Sequence, residues 1–277
     1  MIMRKLHIAV SQINAVAFNP QENLKRIHRQ VKSASAVDVD LILFGETVIH
    51  AYNFSPENLA LAEAIGGPLT SQISAWAVEY NITILTGFIE KDGDKLYNSH
   101  LVARPDGSMA VERKNKITDC EITGGLSSGK TERTVFEFNG VKCAIIICAD
   151  GGIEELHTAL ANQGVEYRLC PTAGGNIING KPIPYIHEDE LDSEEKQALA
   201  AEYRQKVCVN DAIMSEDPIP FTGFASANAM GDDGTGIRHM GHCMIVDNYR
   251  VLRAQIPGSL IIEHQEDMMV HATLTFK

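Results

Sequence analysis

The chain has 277 residues, 44% hydrophobic and 22% charged, an ordinary globular composition that excludes a disordered chain. Asp and Glu number 36 against 24 Lys and Arg, a net charge of −12, which argues against partners that need a cationic surface, such as nucleic acid or anionic membrane. No apolar run reaches the ~18 residues of a membrane span, Met1–Gln12 lacks a secretory signal's apolar core and cleavage site, and the six cysteines form no Cys-x-x-Cys pair. The expectation is a cytoplasmic protein with free thiols and no membrane association.

Leu6–Gln12 reads as a buried strand. Asn19-Pro20-Gln21-Glu22 then supplies an N-cap, a first-turn proline and a capping-box glutamate, followed by Leu24, Ile27, Val31 and Ala34 at helical spacing. Asp40–Phe44 is a second strand. Ile73, Trp76, Ala77 and Tyr80 mark another helix, and Ile82–Phe88 another strand. Asp92-Gly93 and Asp106-Gly107 are turn signals that flank a strand at Tyr97–Ala103. Val141–Cys148 is the most apolar strand, and Ile153, Leu156, Leu160 and Ala161 place a helix after it. Further on, a helix is expected at about 193–207, capped by Asp192 with Glu195 as its partner. Strands are expected near 242–247, 249–254, 259–263 and 268–275, with a turn at Asp247-Asn248. Interleaved helix and strand signals with hairpins favour one α/β domain with mixed sheets. Segment 174–193, with Gly, Pro and an acidic run, reads equally as a lid or as a solvated surface loop.

Gly124–Thr131 (GGLSSGKT) matches the phosphate-loop pattern. That loop needs a buried strand before it and a helix after it; here no clean strand precedes, and Thr134–Phe138 alternates like a strand. His239, His242 and Cys243 are close in sequence, but alternation along a strand directs the two histidines apart, which argues against a metal site. Gly231–Gly236 reads as a loop. Cys148 stands between the apolar strand and the next helix, at the carboxyl edge where open α/β sheets place their sites, and a nearby helix N-terminus favours a thiolate. A buried core thiol is the alternative, and it is the reading for Cys143. Glu46 follows the strand DLILF directly, where a buried carboxylate is costly unless paired or functional. Lys114 ends a short strand-like stretch. Taken singly, each of these two charges reads equally as facing water.

Together, in this order and spacing, the three resemble the catalytic residues of the nitrilase superfamily of carbon–nitrogen hydrolases, amidase-like branch. The resemblance runs along nearly the whole chain: Leu6–Asn14, Leu41–Glu46, Gly87–Glu90, Tyr97-Asn98-Ser99, Glu112-Arg113-Lys114, Ile146–Asp150, Pro171-Thr172-Ala173 and Gly241–Asp247. It implies a four-layer α-β-β-α sandwich over 1–277, paired into a homodimer. It implies Cys148 as the nucleophile forming a thioester, Glu46 as general base, and Lys114 with a backbone N–H after Cys148 as oxyanion stabiliser. Glu121, with Asp119 as second choice, would orient the substrate amine, and Lys114 would help lower the thiol's pKa. Ala149 and Thr172 would border the pocket of a small amide or N-carbamoyl substrate, with ammonia released and no metal or cofactor required. The chain departs from the family pattern at Gly45, where proline is usual, at Ala149, and at Gly151-Gly152-Ile153-Glu154. These departures bear on substrate more than on chemistry. They keep three alternatives in view: a nitrile hydrolase, an acyltransferase, or a catalytically degraded scaffold.

Overall fold

The computed structural model describes residues 3–175, 177–178, 181–182, 184–205 and 223–277. Two six-stranded sheets form its centre. The first runs, in spatial order, β16 (Met268–Phe276), β1 (Arg4–Gln12), β2 (Leu41–Phe44), β3 (Thr83–Asp92), β4 (Lys95–Ala103) and β5 (Met109–Arg113). The second runs β15 (Leu252–Ile256), β14 (Cys243–Val246), β11 (Phe224–Asn228), β8 (Tyr167–Thr172), β7 (Val141–Ile145) and β6 (Val135–Phe138). Among the described residues two short ladders add to these: β9 (Ile177–Ile178) with β10 (Lys181–Pro182), and β12 (Met230–Asp232) with β13 (Arg238–Met240). The helices are α1 (Pro20–Ser35), α2 (Pro56–Leu59), α3 (Pro68–Glu79), α4 (Asp119–Thr123), α5 (Glu154–Asn162) and α6 (Glu194–Tyr203).

Side-chain alternation sorts the strands into layers. Leu6, Ile8 and Val10 of β1 and Leu41 and Leu43 of β2 point inward, against Cys143 and Ile145 of β7, Leu169 of β8 and Ile245 of β14. Ala9, Ile42 and Phe44 point outward, onto Leu24, Ile27 and Val31 of α1 and Ile73 and Trp76 of α3. On the far side Ala144 and Ile146 pack against Leu156 and Leu160 of α5. The order is α-β-β-α. Both faces of β1, β2 and β7 are covered, which is why these strands are continuous apolar runs. Parallel pairing of β1 with β2, β2 with β3, β7 with β8 and β8 with β11 sets the carboxyl ends of β2 and β7 where Glu46 and Cys148 follow.

Several expected boundaries differ. The last described helix starts one residue later than expected: Ser193 is its N-cap and no side-chain cap is formed, so the Asp192–Glu195 box is absent; residues 206–207 lie outside the described residues. The strand expected at 259–263 is reduced to an isolated bridge of Ile261 with Ile186, leading into a 3₁₀ segment at Ile262–His264. There the Ser259 hydroxyl takes the Ile261 N–H at 3.0 Å, which diverts that donor from a longer ladder. Strand β15 begins only at Leu252, after the turn in which Asp247 Oδ1 accepts the N–H groups of Tyr249 and Val251 at 2.8 and 3.0 Å. Strand β7 stops at Ile145, so Cys148 is not a strand residue: it opens a 3₁₀ turn, Cys148–Gly152, at φ +46°. Gly231–Gly236 spans the end of β12 and the turn into β13. The GGLSSGKT segment leaves α4 and enters β6 with no helix after it, which removes the phosphate-loop reading.

Candidate active site

Glu46 follows β2 by two residues and is 1% exposed. Its backbone N–H donates to Thr172 O, at the end of β8, at 3.2 Å. Lys114 follows β5 and is fully buried. Glu121 lies in α4, also fully buried, whereas Asp119 is exposed; the carboxylate that comes with the lysine is therefore Glu121. Lys114 Nζ donates to Glu46 Oε1 at 2.7 Å and to Glu121 Oε2 at 2.8 Å. Asn98 of β4 bridges the same two carboxylates, its Nδ2 lying 2.7 Å from Glu46 Oε1 and 2.6 Å from Glu121 Oε1. The Thr118 N–H and hydroxyl both donate to Glu121 Oε2 at 2.7 Å. Glu46 Oε2 alone among these carboxylate oxygens accepts no hydrogen bond.

The Cys148 thiol, half-buried, lies beside this set: Glu46 and Lys114 are the strongest charges acting on it. Ala173 N–H donates to its sulfur. Burial, reinforced by Glu46, pushes the thiol up to about 12 although Lys114 pulls it down. Lys114 thus lowers the thiol as expected, but desolvation outweighs the ammonium. Glu46 is held above the usual carboxylate range, by burial first and by Glu121 in addition, against the pull of Lys114. Burial alone would lower Lys114, but Glu46, Glu121 and Cys148 together hold it above its ordinary value, so it is an ammonium. With both carboxylates ionised, the buried set carries one net negative charge.

Behind this set lies a second ring of contacts. Arg113 forks onto Glu90, Nε to Oε2 at 2.8 Å and Nη2 to Oε1 at 2.6 Å, with Ser99 Oγ on the same carboxylate at 2.6 Å. The motifs around residues 87–90, 97–99 and 112–114 are thus one network across β3, β4 and β5. Tyr52, beneath the Lys114 ammonium at 5.7 Å, donates or accepts at Thr118 Oγ1 over 3.1 Å.

Ala149 is half-buried in the nucleophile turn. Thr172 is half-buried too, but its hydroxyl donates to Asn228 Oδ1 at 3.1 Å and its carbonyl accepts the N–H groups of Glu46 and Ala229. His239 and His242 do diverge: His239 Nδ1 faces Gly174 O at 3.3 Å, while His242 Nε2 faces Gln255 at 2.9 Å. Both are buried. No group of three or more metal-ligating side chains occurs among the described residues. Asn98, Thr118 and Asp150 carry no sequence signal of their contacts with the site when taken singly. Thr118-x-x-Glu121 is a capping-box pattern that could have fixed Glu121; nothing in the sequence points to Asp150's partners.

Residues 7–204 match the family described as Carbon-nitrogen hydrolase. A relative from Pseudomonas protegens, "Hydrolase in pqqF 5'region", is 29% identical over 242 residues, covering 86% of this chain and 80% of its own. The Mus musculus deaminated glutathione amidase is 30% identical over 185 residues, covering 61% of this chain and 57% of its own, so this chain spans little more than half of that relative. An amidase from Nesterenkonia sp. has the same fold, with a TM-score of 0.72 at 19% identity over 97% of this chain and 90% of that one. The protein therefore belongs to the carbon–nitrogen hydrolases of the nitrilase superfamily.

Proposed function

We propose that this amidase-type hydrolase cleaves the C–N bond of a small linear carboxamide or N-carbamoyl compound through a Cys148 thioester. The observation that carries the reading is the convergence of Glu46 and Glu121 on Lys114 Nζ at 2.7 and 2.8 Å, all fully buried, beside the Cys148 thiol. Burial holds the thiol above its ordinary range, which disfavours a pre-formed thiolate, so the proton leaves as the sulfur attacks. Glu46 Oε2 takes that proton while sulfur adds to the carbonyl carbon. The Lys114 ammonium and the Ala149 N–H hold the oxyanion; losing one such donor costs about 3–4 kcal/mol. As the C–N bond breaks, Glu46 returns the proton to the leaving nitrogen, and ammonia departs past Glu121. Water, deprotonated by Glu46, then adds to the thioester; C–S cleavage returns the proton to sulfur and releases the acid.

The buried Glu–Lys–Glu pairing also favours this reading over a degraded scaffold, because an ion triad is costly to bury without use. The absence of tryptophan after Cys148 favours amides over nitriles by the family's pattern. An ammonia-release screen over carboxamides, N-carbamoyl compounds and nitriles tests the proposal, with the Cys148→Ala protein as blank. Turnover of an amide or carbamoyl compound by the native protein, absent from the folded Cys148→Ala protein, is expected. Full activity in that variant would overturn the assignment. Cys143 lies in the core between the sheets, so Cys143→Ala should stay active.

A further inference from the structure

The GGLSSGKT segment lacks the strand-loop-helix context of a phosphate loop, yet it holds the backbone carbonyl of Lys114. Gly129 N–H donates to Lys114 O at 2.7 Å, and Asn115 Nδ2 donates to Gly129 O at 2.9 Å. A Cβ on Gly129 would stand 2.4 Å from Arg113 O and 2.7 Å from Arg113 Cβ, so only glycine allows this approach. At the loop's end, the buried Arg133 donates through Nη1 to Lys130 O at 2.7 Å and to Arg113 O at 3.2 Å. Its Nη2 lies 2.8 Å from Asp150 Oδ2, an ion pair with neither side chain exposed. Asp150, on the nucleophile turn, accepts the N–H groups of Asn115 at 3.1 Å and Lys116 at 2.7 Å. Residues 113–116 are thus gripped from one side by the loop and from the other by the turn that carries Cys148.

We infer that Gly129, Arg133 and Asp150 are positioning residues that fix the Lys114 ammonium relative to the Cys148 sulfur. The inference rests on the proposed use of Lys114 and Cys148. The sheet itself contributes little here: Lys114 lies beyond the end of β5, and its N–H to Asn98 O, at 2.9 Å, is its last contact with that ladder. If an ammonium about 4 Å from a thiolate retreats by about 1 Å, the thiolate population drops about fourfold at an effective dielectric of about 20.

The test is a set of double-mutant cycles read by the rate at which iodoacetamide alkylates Cys148, followed by peptide mass spectrometry. Gly129→Ala, Arg133→Lys and Asp150→Asn are each made in the native protein and in a Lys114→Gln/Glu121→Gln background, which keeps the buried net charge. In the native background each is expected to slow alkylation about three- to tenfold and, in turnover, to lower kcat at least as much while KM stays within about twofold. In the second background the same changes should alter alkylation less than about twofold, because the ammonium they position is gone. Arg133→Lys, which keeps the charge but not the fork, should lose least. Lys130→Ala, whose side chain is exposed, should match the native protein. Thermal unfolding identifies any variant that fails to fold; Gly129→Ala, the one furthest in sequence from Cys148, then decides. Equal losses in the two backgrounds, or a Gly129→Ala protein indistinguishable from native, would overturn the inference. A native protein that releases no ammonia from any amide would instead overturn the proposed function, while the alkylation cycles still decide the positioning.

Discussion

At the scale of single residues, the site is governed by what burial does to charge. Cys148 adopts φ +46°, a left-handed conformation that costs a non-glycine residue about 1–2 kcal/mol. Such cost is tolerated where geometry is functional; here it turns the sulfur out of the strand direction and towards Glu46. The raised Glu46 carboxyl gives a pH prediction with a definite sign. The proposed base must be unprotonated, so kcat/KM should fall as pH drops through a value above the ordinary 4.5. It should not fall on the alkaline side near neutrality, since neither a pre-formed thiolate nor a neutral lysine is needed. Glu46→Gln keeps the shape and removes the base, and should cost about 10²–10⁴ in kcat and abolish the acid limb. A pH–rate profile checks both; an acid limb at or below pH 4, or one that survives Glu46→Gln, would refute Glu46 as base.

At the scale of elements, a glycine explains one departure from the family pattern. Gly45 sits between β2 and Glu46, and a Cβ there would lie 2.9 Å from Ala229 N and 3.1 Å from Asn228 C. Those atoms are backbone, tied down by the Ala229 N–H to Thr172 O bond at 2.9 Å, so they cannot swing aside. Gly45→Pro, which restores the residue usual in the resembling family, should therefore destabilise by about 1–3 kcal/mol and displace Glu46. A thermal scan should show a lower Tm, by roughly 2–4 °C for each kcal/mol, together with reduced ammonia release. An unchanged Tm and rate would show that the strand end can shift freely. The same region shows what could be read from sequence and why. Apolar runs such as Leu41–Phe44 were legible because both faces of their strands are covered, and Glu46 was legible because a charge ending such a run is conspicuous. Asp150's role was not, because its partners Asn115, Lys116 and Arg133 are brought to it only when β5 and the loop before β6 fold against β7. Nor was the end of β7 at Ile145: Ile146 and Ile147 are as apolar as strand residues, and the chain leaves the ladder only because Cys148 turns.

At the scale of the whole molecule, three histidines outside the catalytic set couple the fold to pH. His50, His100 and His242 are buried, and burial lowers them from 6.5 to about 4, about 3 and about 4. His50 is fixed as the neutral ring by its contacts: Ile89 N–H donates to Nδ1 at 3.2 Å, so Nε2 carries the proton that faces Leu61 O at 3.1 Å. A histidine whose folded pKa is depressed binds protons in the unfolded chain first, so stability falls as pH drops below 6.5 and stops falling only near the folded value. Each contributes up to about 1.4 kcal/mol per pH unit within that window. Raised carboxyls such as Glu46, Glu112 and Asp150 act oppositely, because the folded state binds their protons first; this reduces the net slope without reversing what each histidine adds. His100 is the cleanest probe, since it lies on β4 in the first sheet, fully buried, with Nε2 unpartnered. Denaturant unfolding at pH 6.5, 5.5 and 4.5 should show stability falling with pH in the native protein. In His100→Asn the slope should be shallower by about 1.4 kcal/mol per pH unit, whatever the substitution costs at pH 6.5. An identical slope in the two proteins would mean that His100 takes up its proton in the folded state as readily as in the unfolded one, and the burial assigned to it would be wrong.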